Sequence, residues 1–167
     1  MRAQRWLAAW AITLLIAGCG FQPRGLVSVP EALQRVSLQG NNSSRVYQAL
    51  EKRLRINGID VVSAVGGARY QIRLYSEGFK RRAASLNTRG KTEEFELRAN
   101  LSFEIFNADN SSVTGPLDIS TEQTYHYDEN NINAMQAEEE LLRGEMRNNL
   151  ASQVIRRYLS LATGDAS

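Results

Sequence analysis

The sequence predicts an α+β fold, a two-layer sandwich with two helices packed on one face of a roughly four-stranded, largely antiparallel sheet. Three observations carry that expectation. Phe95, Leu97, Ala99, Leu101, Phe103 and Ile105 take every second position of one run, with only polar residues between them from Glu94 to Glu104. Strand side chains alternate sides, so this run reads as one long strand with a dry face and a wet face. Val46, Leu50 and Leu54, and later Met135, Leu142, Met146, Leu150, Val154, Tyr158 and Leu161, recur at helical spacing. They offer two apolar stripes to cover the dry face. The 167 residues contain no internal repeat and no low-complexity tract, which fits one core in one domain.

The first residues lie outside that sandwich. Arg2 and Arg5 precede a short apolar run over residues 6–16, and the pattern is that of a secretory signal peptide over residues 1–18. The run ends in Ile16-Ala17-Gly18-Cys19, which resembles the bacterial lipobox. Small residues fit a narrow peptidase cleft, and the Cys19 thiol is the nucleophile that accepts a lipid. Cys19 is the only cysteine, so no disulfide or zinc cluster competes for it. The rival reading, a cysteine buried in an N-terminal apolar helix, does not explain the small residues flanking it. By this resemblance residues 19–167 form the mature domain, with a covalent lipid on Cys19 and no other cofactor. Each buried CH₂ of the acyl chains adds about 0.8 kcal/mol of membrane attachment. Gly20 stands where an inner-membrane retention signal would place Asp, so the expectation is the periplasmic side of the outer membrane. Without Arg2 and Arg5, Lys+Arg falls from 20 to 18 against 18 Asp+Glu. The mature chain is neutral, and net charge gives no case for nucleic acid.

The elements follow in order. A tether over residues 21–25 and Pro30 precede a first strand at about 33–38. Ser43 or Ser44 caps a helix that ends at Asn57-Gly58. Residues 59–65 are apolar enough for a short strand, and Gly66-Gly67 allows a reversal. Tyr70, Ile72 and Leu74 alternate with polar residues until the pattern loosens near Gly78. The long strand follows at 92–105, then a turn at 107–110. A further strand alternates Leu117, Ile119, Thr121, Gln123, Tyr125 and Tyr127, and the last helix covers about 133–162. Short connections make the final three strands an antiparallel meander.

Catalytic chemistry has little to stand on. His126 is the only histidine and reads as a surface residue of a strand; no nucleophile elbow, phosphate loop or metal-binding motif is present. Glu138, Glu139 and Glu140 are consecutive on a helix, point about 100° apart and cannot converge as ligands, so they read as a solvated first turn. Neither a catalytic nor a metal site is assigned. Residues 79–92 stand out instead. This expected hairpin tip holds Lys80, Arg81, Arg82, Arg89 and Lys91 and no acid, with Phe79 and Leu86 beside them. Guanidinium groups match phosphate geometry and Lys acts as a point charge, so the tip suits an amphipathic phosphorylated ligand. The same cations also serve to discourage edge aggregation, and the residues alone leave both readings open.

The layout as a whole resembles the LPS-assembly lipoprotein LptE family. Cys19-Gly20-Phe21-Gln22-Pro23-Arg24-Gly25 is similar to that family's mature start, Leu54-Arg55-Ile56-Asn57-Gly58-Ile59 to its first-helix ending, and Thr92-Glu93-Glu94-Phe95 to the start of its central strand. The resemblance implies a non-enzymatic plug inside the β-barrel of the partner LptD at the outer membrane, assisting barrel assembly and delivery of lipopolysaccharide to the cell surface. It also implies lipopolysaccharide contact by basic loop residues, here Arg89 and Lys91, supported by Lys80, Arg81 and Arg82. The second basic position that the resemblance implies falls around Met135-Gln136-Ala137, where this chain carries no cation. Two other classes remain: a generic lipid- or solute-binding envelope lipoprotein without a barrel, which needs a closed apolar pocket, and a hydrolase, which needs His126 or a carboxylate pair in a cleft.

Overall fold

The computed structural model describes residues 29–63, 67–162 and 164. The signal peptide, Cys19 and part of the 59–65 strand lie outside them. After a one-turn 3₁₀ segment at Glu31–Leu33, the elements are β1 (Arg35–Gln39), α1 (Arg45–Ile56), β2 (Asp60–Val62), β3 (Tyr70–Leu86), β4 (Thr92–Asn107), β5 (Leu117–His126) and α2 (Ile132–Ser160).

Local chemistry sets the ends of α1. The Ser44 hydroxyl accepts from the backbone N–H groups of Val46 and Tyr47, donors that have no partner within the helix. Gly58, at φ 75°, reverses the chain after it. Of the two capping serines the sequence allowed, Ser44 acts.

The sheet has five strands, one more than the sequence suggested, in the order β2-β1-β3-β4-β5. The fifth is β2, the short strand that the apolar run 59–65 allowed; its three residues pair in parallel with β1. Such a pairing needs a crossover, and α1 provides it. β1 also runs parallel to β3, while β3, β4 and β5 form the expected antiparallel meander. Leu33, expected in the first strand, lies buried in the 3₁₀ turn.

Both helices cover one face. Leu97, Ala99, Leu101, Phe103 and Ile105 of β4 are all at most 1% exposed, and above them lie Val46, Leu50 and Leu54 of α1 with Met146, Leu150, Val154 and Tyr158 of α2. These residues belong to one contiguous cluster. The predicted β4 row is therefore the floor of the core, with Phe95 half-buried at its outer end. Met135 and Leu142 are only partly covered, because the first half of α2 runs past the core alongside the hairpin.

Tyr158 ties the layers together. Its ring is fully buried, edge-on to Tyr70 at 6.1 Å, and its hydroxyl donates to the Leu33 carbonyl at 3.0 Å. Burial holds that hydroxyl well above the ordinary phenol range. Tyr158→Phe leaves the ring in place and strips the donor from a buried carbonyl. The expected cost is about 1–3 kcal/mol, read as a lowered urea midpoint with an unchanged slope.

Candidate functional site at the hairpin extension

The β3–β4 hairpin extends well beyond β1 and β2, and a bulge decides what each part of it presents. Leu74 pairs with Phe103, but Ser76 pairs with Ser102, which leaves Tyr75 as an extra residue in β3. One inserted residue reverses the pleat. Before the bulge, Ile72 and Leu74 share the helix-covered face with Ile105 and Phe103. After it, Phe79, Arg81 and Ala83 stand opposite Ala99, Leu97 and Phe95 on that face. Lys80 and Arg82 pair with Arg98 and Glu96 on the open face.

The five cations therefore do not form one tip, as the sequence suggested. β3 continues as a strand through Leu86, and the turn itself is only residues 87–91. Only Arg89 and Lys91 belong to it. Lys80 and Arg82 are displayed on the open face, Arg82 gripping Glu96 at 2.7 and 2.8 Å. Arg81 turns to the other side.

There it meets α2. The Glu139 carboxylate accepts from Arg81 Nη1 at 2.9 Å, from the Tyr125 hydroxyl at 2.8 Å and from Arg143 Nε at 2.9 Å. Arg81 lies over the Phe95 ring at 4.4 Å and Arg143 near the Phe79 ring at 5.6 Å, while Phe95 stacks on Tyr125. The reading of Glu138–Glu140 as a solvated turn thus fails for Glu139, whose side chain is only 15% exposed. Phe79 likewise packs under α2 rather than beside the tip. Burial pushes the Glu139 carboxyl up, but the donors from Tyr125, Arg143 and Arg81 outweigh it and hold the group below the ordinary carboxylate range. Glu140 is more open and bridges Arg45 of α1 and Arg147 of α2.

At the far end the turn is built on Asn87, whose side-chain oxygen accepts from the backbone N–H groups of Arg89 and Lys91. Gly90 takes φ 75°, which a side chain would disfavour. Lys91 Nζ donates to both oxygens of Glu129 at 2.7 and 2.8 Å, in the loop that leads into α2. Among the described residues, no carboxylate lies within ion-pairing distance of Arg89 or Lys80. A groove of about 280 Å³ opens between Asn87, Arg89, Lys91, Tyr127 and Glu129. Leu86 and Ile132, at 61% and 52% exposed, flank this end with apolar surface. His126 is exposed at the groove's rim, as read from the sequence. No three His, Cys, Asp or Glu side chains among the described residues gather to hold a metal ion.

Comparisons with known proteins agree over most of the chain. The family LptE, described as lipopolysaccharide-assembly, matches residues 33–158. The LPS-assembly lipoprotein LptE of Pectobacterium atrosepticum is 27% identical over 150 residues, covering 89% of this chain and 80% of that protein. The protein of the same name from Yersinia pestis is 26% identical, covering 89% and 72%. Among solved structures, the rare lipoprotein B of Shewanella oneidensis superposes with a TM-score of 0.68 at 25% identity, over 78% of this chain and 97% of that one. Lipoprotein B of Nitrosomonas europaea shares the fold with a TM-score of 0.74 at 23% identity, over 86% and 93%.

Glu139→Gln tests the clamp. A carboxyl held low in the folded state stabilises above its unfolded value near 4.5 and loses that contribution as pH falls below it. The variant is expected to lose about 1–3 kcal/mol at pH 7 and to close the gap to the wild type progressively as pH falls from 4.5 through the lowered folded-state value, by urea denaturation across an acid pH series.

Proposed function

Because the chain belongs to the LptE lipopolysaccharide-assembly family, we propose that it is a non-enzymatic, lipid-anchored lipoprotein of the outer membrane that plugs and helps assemble an LptD-type β-barrel. In that position it assists delivery of lipopolysaccharide to the cell surface. Cys19 carries the anchor, and the domain faces the periplasmic side.

The observation that carries the ligand reading is the pairing at the turn. Arg89 has no carboxylate partner among the described residues, and Lys91 is held by Glu129 in a pair about half exposed on both sides. Such a pair is worth about 0–1 kcal/mol, so an incoming phosphate displaces Glu129 from Lys91 at little cost. Arg89 adds a guanidinium that takes phosphate in a bidentate way. Leu86 and Ile132 offer apolar contact to the same amphipathic molecule. Lys80 adds a further cation on the open face, where Arg82 is paired with Glu96, and Arg81 supports the extension from beneath by fixing the hairpin to α2.

The remaining surface favours a barrel lumen. The open face of the extension carries Lys80, Arg82, Glu96, Arg98, Asn100 and Glu122, a mixed-charge surface suited to a wet interior. Among the described residues the buried apolar side chains form one contiguous core, which favours the plug over a generic lipid-pocket protein.

Co-purification from detergent-solubilised outer membranes tests both parts. Wild type is expected to emerge in a one-to-one complex with a large β-barrel protein. Arg89→Glu is expected to keep the barrel and weaken lipopolysaccharide retention about tenfold, roughly the 1.4 kcal/mol of one charge-assisted contact. Wild type emerging alone refutes the plug, and unchanged retention by Arg89→Glu removes the turn from the ligand site.

A further inference from the structure

β5 ends the sheet, and two hydrogen bonds reveal which of its backbone groups point outward. The Tyr127 N–H donates to the Glu93 carbonyl at 2.8 Å, continuing the ladder to β4. The Ser120 carbonyl accepts instead from Gln153 Nε2 of α2, at 3.3 Å and outside that ladder. In an antiparallel strand the N–H and C=O of one residue point the same way, and neighbouring residues point oppositely. Odd-numbered residues of β5 therefore bond to β4. Asp118, Ser120, Glu122, Thr124 and His126 present their backbone groups to the outside.

This edge keeps only part of the usual protection, the carboxylates of Asp118 and Glu122 and the one bond from Gln153 to the Ser120 carbonyl. Its register with β4 is unbroken from Glu94–His126 to Phe103–Leu117, so no bulge twists it away. β5 contains no Pro, Lys or Arg. The opposite edge, β2, is by contrast only three residues long. Ten residues of regular, uncharged-by-cation edge are a template for another strand.

A groove also runs beside the edge. Phe103, Leu117 and Ile119 form its apolar side, and Gln153 and Arg156 of α2 overhang it, with a volume of about 370 Å³. We infer that β5 is the docking edge for an extended segment of the barrel partner, added antiparallel or parallel as a sixth strand; this rests on the plug reading above. Charge selects the occupant's pattern. On the open face Asp118 and Glu122 line the seam, so the added strand places Lys, Arg, Ser or Thr beside them. Its alternate side chains are apolar and enter the groove. A second copy of this chain fits badly, since pairing β5 with β5 gathers Asp118 and Glu122 of both copies on one face of the seam.

Amide hydrogen exchange by mass spectrometry decides the matter, on the full lipidated chain alone and in the co-purified barrel complex. In the isolated chain, peptides covering Leu117–His126 are expected to show slow amides from the β4 ladder and fast ones from the outward residues. In the complex the fast set slows at least about tenfold. Thr124→Pro removes an outward N–H and leaves the β4 ladder intact, as edge strands allow. It is expected to keep the melting curve of the wild type and to reduce barrel retention about tenfold. A complex that forms with the outward amides still fast overturns the docking edge and leaves the plug standing. Protection already present in an isolated chain of dimeric mass overturns it in favour of self-pairing. Absence of any complex overturns the plug and the docking edge together.

Discussion

A strand offers each side chain one of two faces, and the bulge at Tyr75 reassigns those faces halfway along the longest hairpin. Everything at the far end depends on that reversal. Without it, the pleat that puts Ile72 and Leu74 into the core would carry Lys80 and Arg82 under α2, and expose Phe79. With it, Phe79 and Arg81 go under α2, where Glu139 and Arg143 receive them. The core row of β4 remains in step throughout, because β4 itself has no inserted residue opposite the bulge. Two strands of different lengths between the same points are what bend and twist the extension.

Cohesion declines along the hairpin. Near β1 the layers are held by fully buried side chains, each worth roughly 1.5–3 kcal/mol on leaving water. Midway, the holding passes to one partly buried carboxylate with three donors, an arrangement strong only because every donor is matched. At the turn it passes to an exposed Lys91–Glu129 pair and an Asn87 side chain bonded to its own loop. Shape is fixed where the helices cover the sheet, and the end remains free to exchange partners.

The readable parts of the sequence were those where periodicity and burial coincide. The β4 alternation gave the core row residue by residue, and the stripes of α1 and α2 gave both helices. The loosening of the pattern near Gly78 was legible as well, but not its cause. A bulge inserts one residue without any marker in residue type, so the apolar set moves from Tyr70, Ile72 and Leu74 to Phe79 and Ala83 and reads as an end of the strand. The consequence for the site followed directly. Five cations close in sequence looked like one patch, although alternation sends Arg81 to one face and Lys80 and Arg82 to the other. Glu139 was hidden for a different reason: apart from Arg143 four residues on, its donors come from β3 and β5, and no local spacing announces a contact over 58 residues. β2 is too short for its alternation to be counted at all.

The weak pairing at the turn bears on what kind of binding such an end can support. A site that stores a ligand is built from buried, mutually oriented donors, whose desolvation has been offset before the ligand arrives. Arg89 and Lys91 are solvated, and the Lys91 carboxylate partner is itself half exposed. Exchanging Glu129 for a phosphate replaces one exposed ion pair by another and changes little in net solvation. In the proposed site, affinity would come from several modest contacts acting together, the guanidinium, the ammonium and the apolar flanks of Leu86 and Ile132, none of them sufficient alone. Each can be released separately. For a protein proposed to stand on the path of a lipid that has to move on, contacts that form and break one at a time keep both arrival and departure fast.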